Sequence, residues 1–174
     1  MAGSLAIVLT LLAGVPTLTT GPFGNTPLVA QAAARTYVPV SSLGGKTRAT
    51  YMYMPRLGIS MPIKKGVLGE PISTRYAYHY PTTSWPGGGS NTYLYAHAQA
   101  GAFLKLKYAR VGDVLNMRLK TGDFVRYKVT KIKKVDWNAG KWVLPTSSER
   151  ITLQTCLGNT RTSPRLIVIA KPVS

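Results

Sequence analysis

The stretch GDVLNMRLKTGDFVRYKV, residues 112–129, decides the fold. In it Leu115, Met117 and Leu119 fall on one face of an extended chain, and Val125, Tyr127 and Val129 fall on one face of the next. Thr121-Gly122-Asp123 stands between them as a hairpin turn signal. A side-chain period of two marks a strand with one buried face, so the two runs predict an antiparallel hairpin.

The short-strand pattern continues on both sides. Met54–Ile63 reads as a first strand with Pro55 and Pro62 at its margins. Thr92–His97 reads as a strand after the loop Ser84–Asn91, and Ile151–Cys156 and Arg165–Ala170 as two closing strands. Gly87, Gly88 and Gly89 are costly to hold inside a regular element and mark that loop. Gly101–Arg110, with Phe103, Leu104, Leu106 and Tyr108, fits a short helical turn. No long amphipathic helix and no fixed-period repeat interrupts the pattern, and roughly seven or eight strands predict an all-β sandwich or closed barrel.

At 174 residues the chain suits one domain with a full core. Residues 1–34 carry no charged side chain. Their apolar run, Leu5–Val15, is shorter than the ~20 residues of a membrane-crossing helix and has the length of a secretory signal's apolar region, about 7–15 residues. Ala30-Gln31-Ala32 has the small-x-small form of a signal-peptidase site, although no positive n-region precedes the run. Residues 1–34 are therefore expected to be an export signal or membrane anchor, 35–50 a Ser/Thr/Gly-rich linker, and 51–174 the compact domain. Export predicts an extracytoplasmic location, at the cell membrane or cell surface.

Lys and Arg number 22 against 5 Asp and Glu, a formal net charge of +17, and every basic residue lies after position 34. Lys105–Lys134 holds ten of them against Asp113 and Asp123. Such a balance attracts polyanions, whether nucleic acid, an anionic envelope polymer or a membrane surface, and charge alone does not choose among them. A single cysteine excludes an intrachain disulfide. Two histidines and five scattered acids do not supply the clustered ligands of a zinc or calcium site, so neither a metal nor a cofactor is expected.

In Ile151–Cys156 the period-two rule puts Ile151, Leu153 and Thr155 on one face and Thr152, Gln154 and Cys156 on the other. Cys156 thus ends its strand on the more polar face, whereas a packing cysteine belongs with the apolar residues. His97 shares a face with Tyr93 and Tyr95 at the end of its strand, and Arg165 opens the last strand on the face of Ile167 and Ile169. A thiol with the reference pKa of about 8.5 is only a few per cent ionised at neutral pH. An imidazolium beside it raises that fraction and can protonate a leaving amine. A guanidinium stays charged and stabilises an oxyanion.

Three segments carry a resemblance to a known family. Thr152-Leu153-Gln154-Thr155-Cys156 resembles the Thr-Leu-x-Thr-Cys signature of sortases. Asn91-Thr92-Tyr93-Leu94-Tyr95-Ala96-His97, followed by Phe103, Leu106 and Gly112-Asp113, is similar to the family's histidine block. Pro164-Arg165-Leu166-Ile167-Val168-Ile169-Ala170 is similar to its arginine strand, nine residues after the cysteine. The resemblance covers about residues 52–172. It implies a closed or nearly closed eight-stranded sortase-type β-barrel with short helical turns. It also implies that Cys156 attacks the threonyl carbonyl of an LPxTG- or LAxTG-like sorting motif, forming a thioacyl-enzyme. His97 then shuttles the proton, and Arg165 holds substrate and oxyanion with Thr155 beside it. The implied partners are surface proteins bearing that motif and an amine of a cell-wall precursor or pilin, with membrane association. The basic surface, the early apolar segment and Tyr93/Tyr95 are most similar to the actinobacterial class E type. Ala96 departs from the family, which has glycine before the histidine; a positive φ there would strain alanine.

Trp137 and Trp142 fall in the loop before the cysteine strand, where the resemblance places substrate contacts; they read equally as substrate-binding residues or loop anchors. His79, among aromatics, reads as a packed or surface histidine, and the Lys105–Lys134 run as a solvated face or a site for anionic wall polymer. L,D-transpeptidases also order His before Cys but carry His-Gly just before the nucleophile, where Gln154-Thr155 stands here. The alternative of another class is a non-enzymatic basic β-barrel that binds an anionic envelope polymer or nucleic acid; an exported protein disfavours nucleic acid.

Overall fold

The computed structural model describes residues 34–45 and 47–173, so the export signal or anchor expected over residues 1–34 lies outside the described residues but for Ala34. Eight strands form the fold: β1 Ala49–Met54, β2 Ile59–Lys65, β3 Ala77–His79, β4 Asn91–Tyr95, β5 Val114–Leu119, β6 Phe124–Val135, β7 Arg150–Cys156 and β8 Arg165–Pro172. They close into a barrel in the order β1-β2-β3-β4-β7-β8-β6-β5, with β5 returning to β1. Among the described residues helix is limited to 3-10 turns, at Val40–Ser42, Pro55–Leu57, Leu104–Tyr108 and Gly140–Trp142.

The hairpin of residues 112–129 forms as its alternation requires. Leu115 pairs with Tyr127 and Met117 with Val125, and all four are buried. Gly122 takes a φ of 97° in the turn, a conformation that glycine alone adopts without strain. The single strand expected over Met54–Ile63 is instead a sharp β1–β2 hairpin. Pro55 starts a 3-10 turn that Gly58 ends at a φ of 60°, and Met54 then pairs with Ile59. Within the stretch that read as a linker, Tyr37 bridges to Phe124, Val38 N–H donates to Phe124 O, Val40 enters the core, and β1 already begins at Ala49.

The core is the barrel interior, filled by Met52, Met54, Met61, Leu94, Leu115, Met117, Leu153 and Val168, with Phe103 and Leu106 of the β4–β5 connection. Each such side chain contributes roughly 1.5–3 kcal/mol of transfer free energy. Tyr127 is buried because its hydroxyl donates to Glu149 Oε1 at 3.0 Å, and that carboxylate also accepts from Gly87 N and Gly89 N.

Strand directions fix the two ends of the barrel. β2/β3 and β4/β7 pair in parallel and all other neighbours pair antiparallel. β4 and β7 therefore end where β8 begins. The start of β1 and the ends of β2 and β5 lie at the opposite mouth.

Candidate active site

Cys156 is the last residue of β7 and Arg165 the first of β8, and the two are register partners. The connection Leu157–Pro164 turns the chain through Leu157 N–H donating to Pro164 O, and Gly158 passes so close to Ser163 that a Cβ would lie 2.6 Å from its hydroxyl. Arg165 Nη1 donates to Cys156 Sγ at 3.0 Å and to Ser163 O at 2.9 Å, while Nη2 donates to Arg161 O at 2.9 Å. Two carbonyls thus hold the guanidinium, one of them sharing Nη1 with the sulfur. Cys156 is half-buried, between core and solvent.

His97 stands on the neighbouring parallel strand path. Tyr95 pairs with Gln154, so two residues further each chain reaches His97 and Cys156 at the same mouth. Two hydrogen bonds carry the strand contact past β4, Ala96 N–H to Gln154 O and Thr155 Oγ1 to Ala96 O at 2.9 Å. His97 Nε2 lies 3.1 Å from Ile72 O, in the β2–β3 connection. A carbonyl only accepts, so Nε2 carries the proton and Nδ1 is the nitrogen left for proton exchange. Among the described residues no non-glycine residue has positive φ, so Ala96 takes the place of glycine without backbone strain.

Thr155, expected beside Arg165 in substrate binding, lies in β7 one residue before Cys156. It is 2% exposed on the inward face with Ile151 and Leu153, and its hydroxyl is taken by Ala96 O. Its work is to tie β7 to the chain entering His97. Trp142 is half-buried, and its carbonyl accepts from Asn91 Nδ2 at 2.9 Å, which fits the anchor reading of the two given for it. Trp137, by contrast, is 47% exposed and walls a groove of about 400 Å³. Tyr93, Tyr95 and Gln154 form its floor, and Val67 and Leu68 its other rim. Gln154 lies on the face of β7 that ends in Cys156, two residues before it, while Cys156, His97 and Arg165 themselves do not line the groove. Burial raises the Tyr93 hydroxyl's pKa strongly, with Arg165 partly opposing, so it stays protonated and donates to Gln154 Oε1. Burial likewise raises that of Tyr95.

His79 is packed, as read: it is 1% exposed, stacked on Trp85 at 3.8 Å, with Nε2 against Ser84 O. Sequence reading missed the Ile72, Arg161 and Ser163 carbonyls, which carry no side-chain signature, and the Val67–Leu68 rim, whose only signal is two apolar residues in a loop.

A closed barrel with a thiol, a guanidinium on it and an imidazole on the adjacent strand path, all at one mouth, defines a barrel-type cysteine enzyme. The chain belongs to the sortase family: the model of the Sortase domain matches residues 52–173. Among solved structures it is similar to sortase C1 of the group B streptococcus pilus island 1, at 28% identity and a TM-score of 0.63, over 71% of this chain and 63% of that one. Sortase C from Clostridium perfringens SM101 is similar at 25% identity and a TM-score of 0.62, covering 75% of this chain and 72% of that one. Listeria monocytogenes sortase A, at 20% identity and a TM-score of 0.62 over 72% of this chain and 88% of that one, speaks for the fold alone. No curated protein matches the chain.

Proposed function

We propose that the protein is a sortase-type transpeptidase that cleaves an LPxTG- or LAxTG-like sorting motif after threonine and passes the acyl group to an amine at the cell envelope. The observation that carries the reading is the 3.0 Å contact from Arg165 Nη1 to Cys156 Sγ, at the mouth where β4 delivers His97. The Cys156 thiol gives its proton to His97 Nδ1, and the thiolate attacks the threonyl carbonyl carbon while Arg165 offsets the oxyanion charge. The C–N bond then breaks, and the leaving amine takes the proton from the imidazolium. In the second half an incoming amine attacks the thioester, His97 accepts its proton, and the sulfur leaves as a thiolate facing Arg165. The Ile72 carbonyl supports this cycle by keeping the ring orientation fixed through both protonation states.

The groove between Trp137 and Val67–Leu68 suits an extended peptide with apolar side chains, and its tyrosines are those behind the class E likeness. The substrates on this reading are surface proteins bearing the motif, and the acceptor is an amine of a cell-wall precursor or pilin. The location is extracytoplasmic, with residues 1–34 as signal or anchor and residues 51–174 as the catalytic domain.

The test is incubation with a Leu-Pro-x-Thr-Gly or Leu-Ala-x-Thr-Gly peptide and an amine, followed by mass spectrometry. The expected products are the cleaved peptide, its amine adduct and a thioacyl-enzyme, all absent in Cys156→Ala, with transfer in His97→Ala reduced at least about 100-fold. No cleavage and no adduct with any sorting peptide would sink the reading. Wild-type rates in His97→Ala would remove the acid–base role.

A further inference from the structure

The barrel mouth opposite Cys156 carries a second concavity, about 670 Å³, that shares no residue with the peptide groove. Four cations line it: Arg48 just before β1, Lys64 and Lys65 at the end of β2, and Lys120 in the turn after β5. All four are exposed, and none of the lining residues is acidic. The nearest carboxylate in sequence, Asp123, accepts from the Thr121 hydroxyl at 2.8 Å. Three sequence-distant segments are held together here by backbone, with Lys120 N–H donating to Arg48 O at 2.9 Å and Thr50 and Ile63 following as β1–β2 neighbours. Like charges gathered without a counter-ion repel, so the arrangement is costly unless an anion occupies it.

Trp85 completes the wall, one face stacked on the buried His79 ring and its body half-exposed. An indole with one packed face and a wet edge is the side chain suited to a membrane–water boundary. The chain also enters the barrel at this mouth. Tyr37 and Val38 are fixed to Phe124 at the start of β6, Ala49 opens β1, and the sequence before Arg35 is uncharged and includes the apolar run Leu5–Val15. The nucleophile faces the other way.

We propose that this mouth docks on an anionic bilayer, with the cavity receiving phosphodiester headgroups and Trp85 resting at their level. The inference deepens the membrane-association part of the proposed function and leaves the peptide chemistry independent of it. A polybasic cluster gains about 1 kcal/mol per Lys or Arg near such a surface, which is roughly fivefold in binding for each.

The experiment uses the full chain, with vesicles of phosphatidylcholine alone or mixed equally with phosphatidylglycerol, in co-sedimentation at about 0.1 M salt. Wild type is expected to prefer the anionic vesicles. The variant R48Q/K64Q/K65Q/K120Q is expected to lose that preference by a few hundredfold, at roughly fivefold per cation. The matched variant K128Q/K131Q/K133Q/K134Q, which removes the same charge from exposed positions of β6, is expected to lose far less. Thermal melts verify folding, and the single variants R48Q and K120Q give the per-cation step if the fourfold variant misfolds. Both fourfold variants should still cleave a soluble sorting peptide, which separates failure of this inference from failure of the catalytic reading. No preference in wild type, or equal loss in the two fourfold variants, overturns the site. So does a result in which inorganic tripolyphosphate binding is lost in the first variant while vesicle binding stays, since the ligand is then a soluble phosphate polymer.

Discussion

Arg165 does with one planar group what a lysine cannot. Its Nη1 reaches both Cys156 Sγ and Ser163 O while Nη2 holds Arg161 O, so the charge facing the sulfur is fixed in place. An ammonium on a flexible stem cannot hold the two carbonyls and the sulfur in that one fork. Arg165→Lys is therefore expected to lower kcat for peptide cleavage by roughly 100- to 1000-fold, the usual cost of losing one oxyanion donor, with KM changing less. Steady-state kinetics on the sorting peptide reads the split, and an unchanged kcat removes Arg165 from transition-state stabilisation. The residues expected at this centre were legible because the chemistry demands particular side chains near strand ends, and Cys156 ends β7, Arg165 opens β8 and His97 follows β4 by two residues, all at one mouth. The burial of Thr155 was legible through its face: the alternation puts it with Ile151 and Leu153. The carbonyls that orient His97 and Arg165 were not legible, since every residue type offers the same oxygen.

Between elements, two ties carry more than their length suggests. Thr155 Oγ1 donates to Ala96 O where β4 has ended, so the segment that delivers His97 leans on β7. Thr155→Val keeps shape but leaves a buried carbonyl unpaired, at a cost of about 1–3 kcal/mol, or about 2–4 °C in Tm per kcal/mol. Lower kcat with nearly constant KM should accompany the lower Tm, and Thr155→Ser should restore both; a kcat that does not recover with Tm in the serine variant counts against the positioning role. The second tie joins the β1–β2 turn to the start of β5, through Arg56 on Asp113, with Arg110 N–H also donating to Asp113 Oδ2. The Arg56 hydrogen bond, chiefly, holds the Asp113 carboxyl below the usual carboxylate range against an opposing burial effect. A depressed folded-state pKa gives stability that is present above the unfolded value, about 3.9, and is lost as pH falls through the lower folded value. Asp113→Asn should therefore unfold at lower urea than wild type at pH 7, with the difference shrinking in acid; a difference independent of pH would assign it to packing. Sequence reading missed this turn and most of β1, running one strand over Met54–Ile63, because Pro55 was read as a strand margin instead of the start of a 3-10 turn that Gly58 ends. It passed over β3, whose three residues are too few to show alternation.

Across the molecule the charge is lopsided: +17 overall, with five acids. Of these, Asp113 is the partner in the one ion pair among the described residues, and Glu149 and Asp123 are taken up by hydrogen bonds from Gly87, Gly89, Tyr127 and Thr121. The total was plain in the sequence, but its arrangement was not. The Lys105–Lys134 run spreads over the Leu104–Tyr108 turn, β5 and β6, and of it only Lys120 joins the cluster with Arg48, Lys64 and Lys65 at the mouth opposite Cys156. With so little pairing to lose, added salt acts mainly on repulsion between like charges, which is stronger in the compact barrel than in the expanded chain. The Debye length falls from about 10 Å at 0.1 M salt to about 3 Å at 1 M, so repulsion among surface cations is mostly removed over that range. The midpoint of urea unfolding should rise as sodium chloride increases from about 0.02 M to about 0.5 M, with the denaturant slope unchanged. The rise should be smaller in the R48Q/K64Q/K65Q/K120Q variant, because four cations that share one cavity are already gone. A midpoint that falls with salt would mean that the Arg56–Asp113 pair outweighs the repulsion. An equal rise in the variant would mean that the strain is spread evenly over the barrel and is not concentrated at the mouth opposite Cys156.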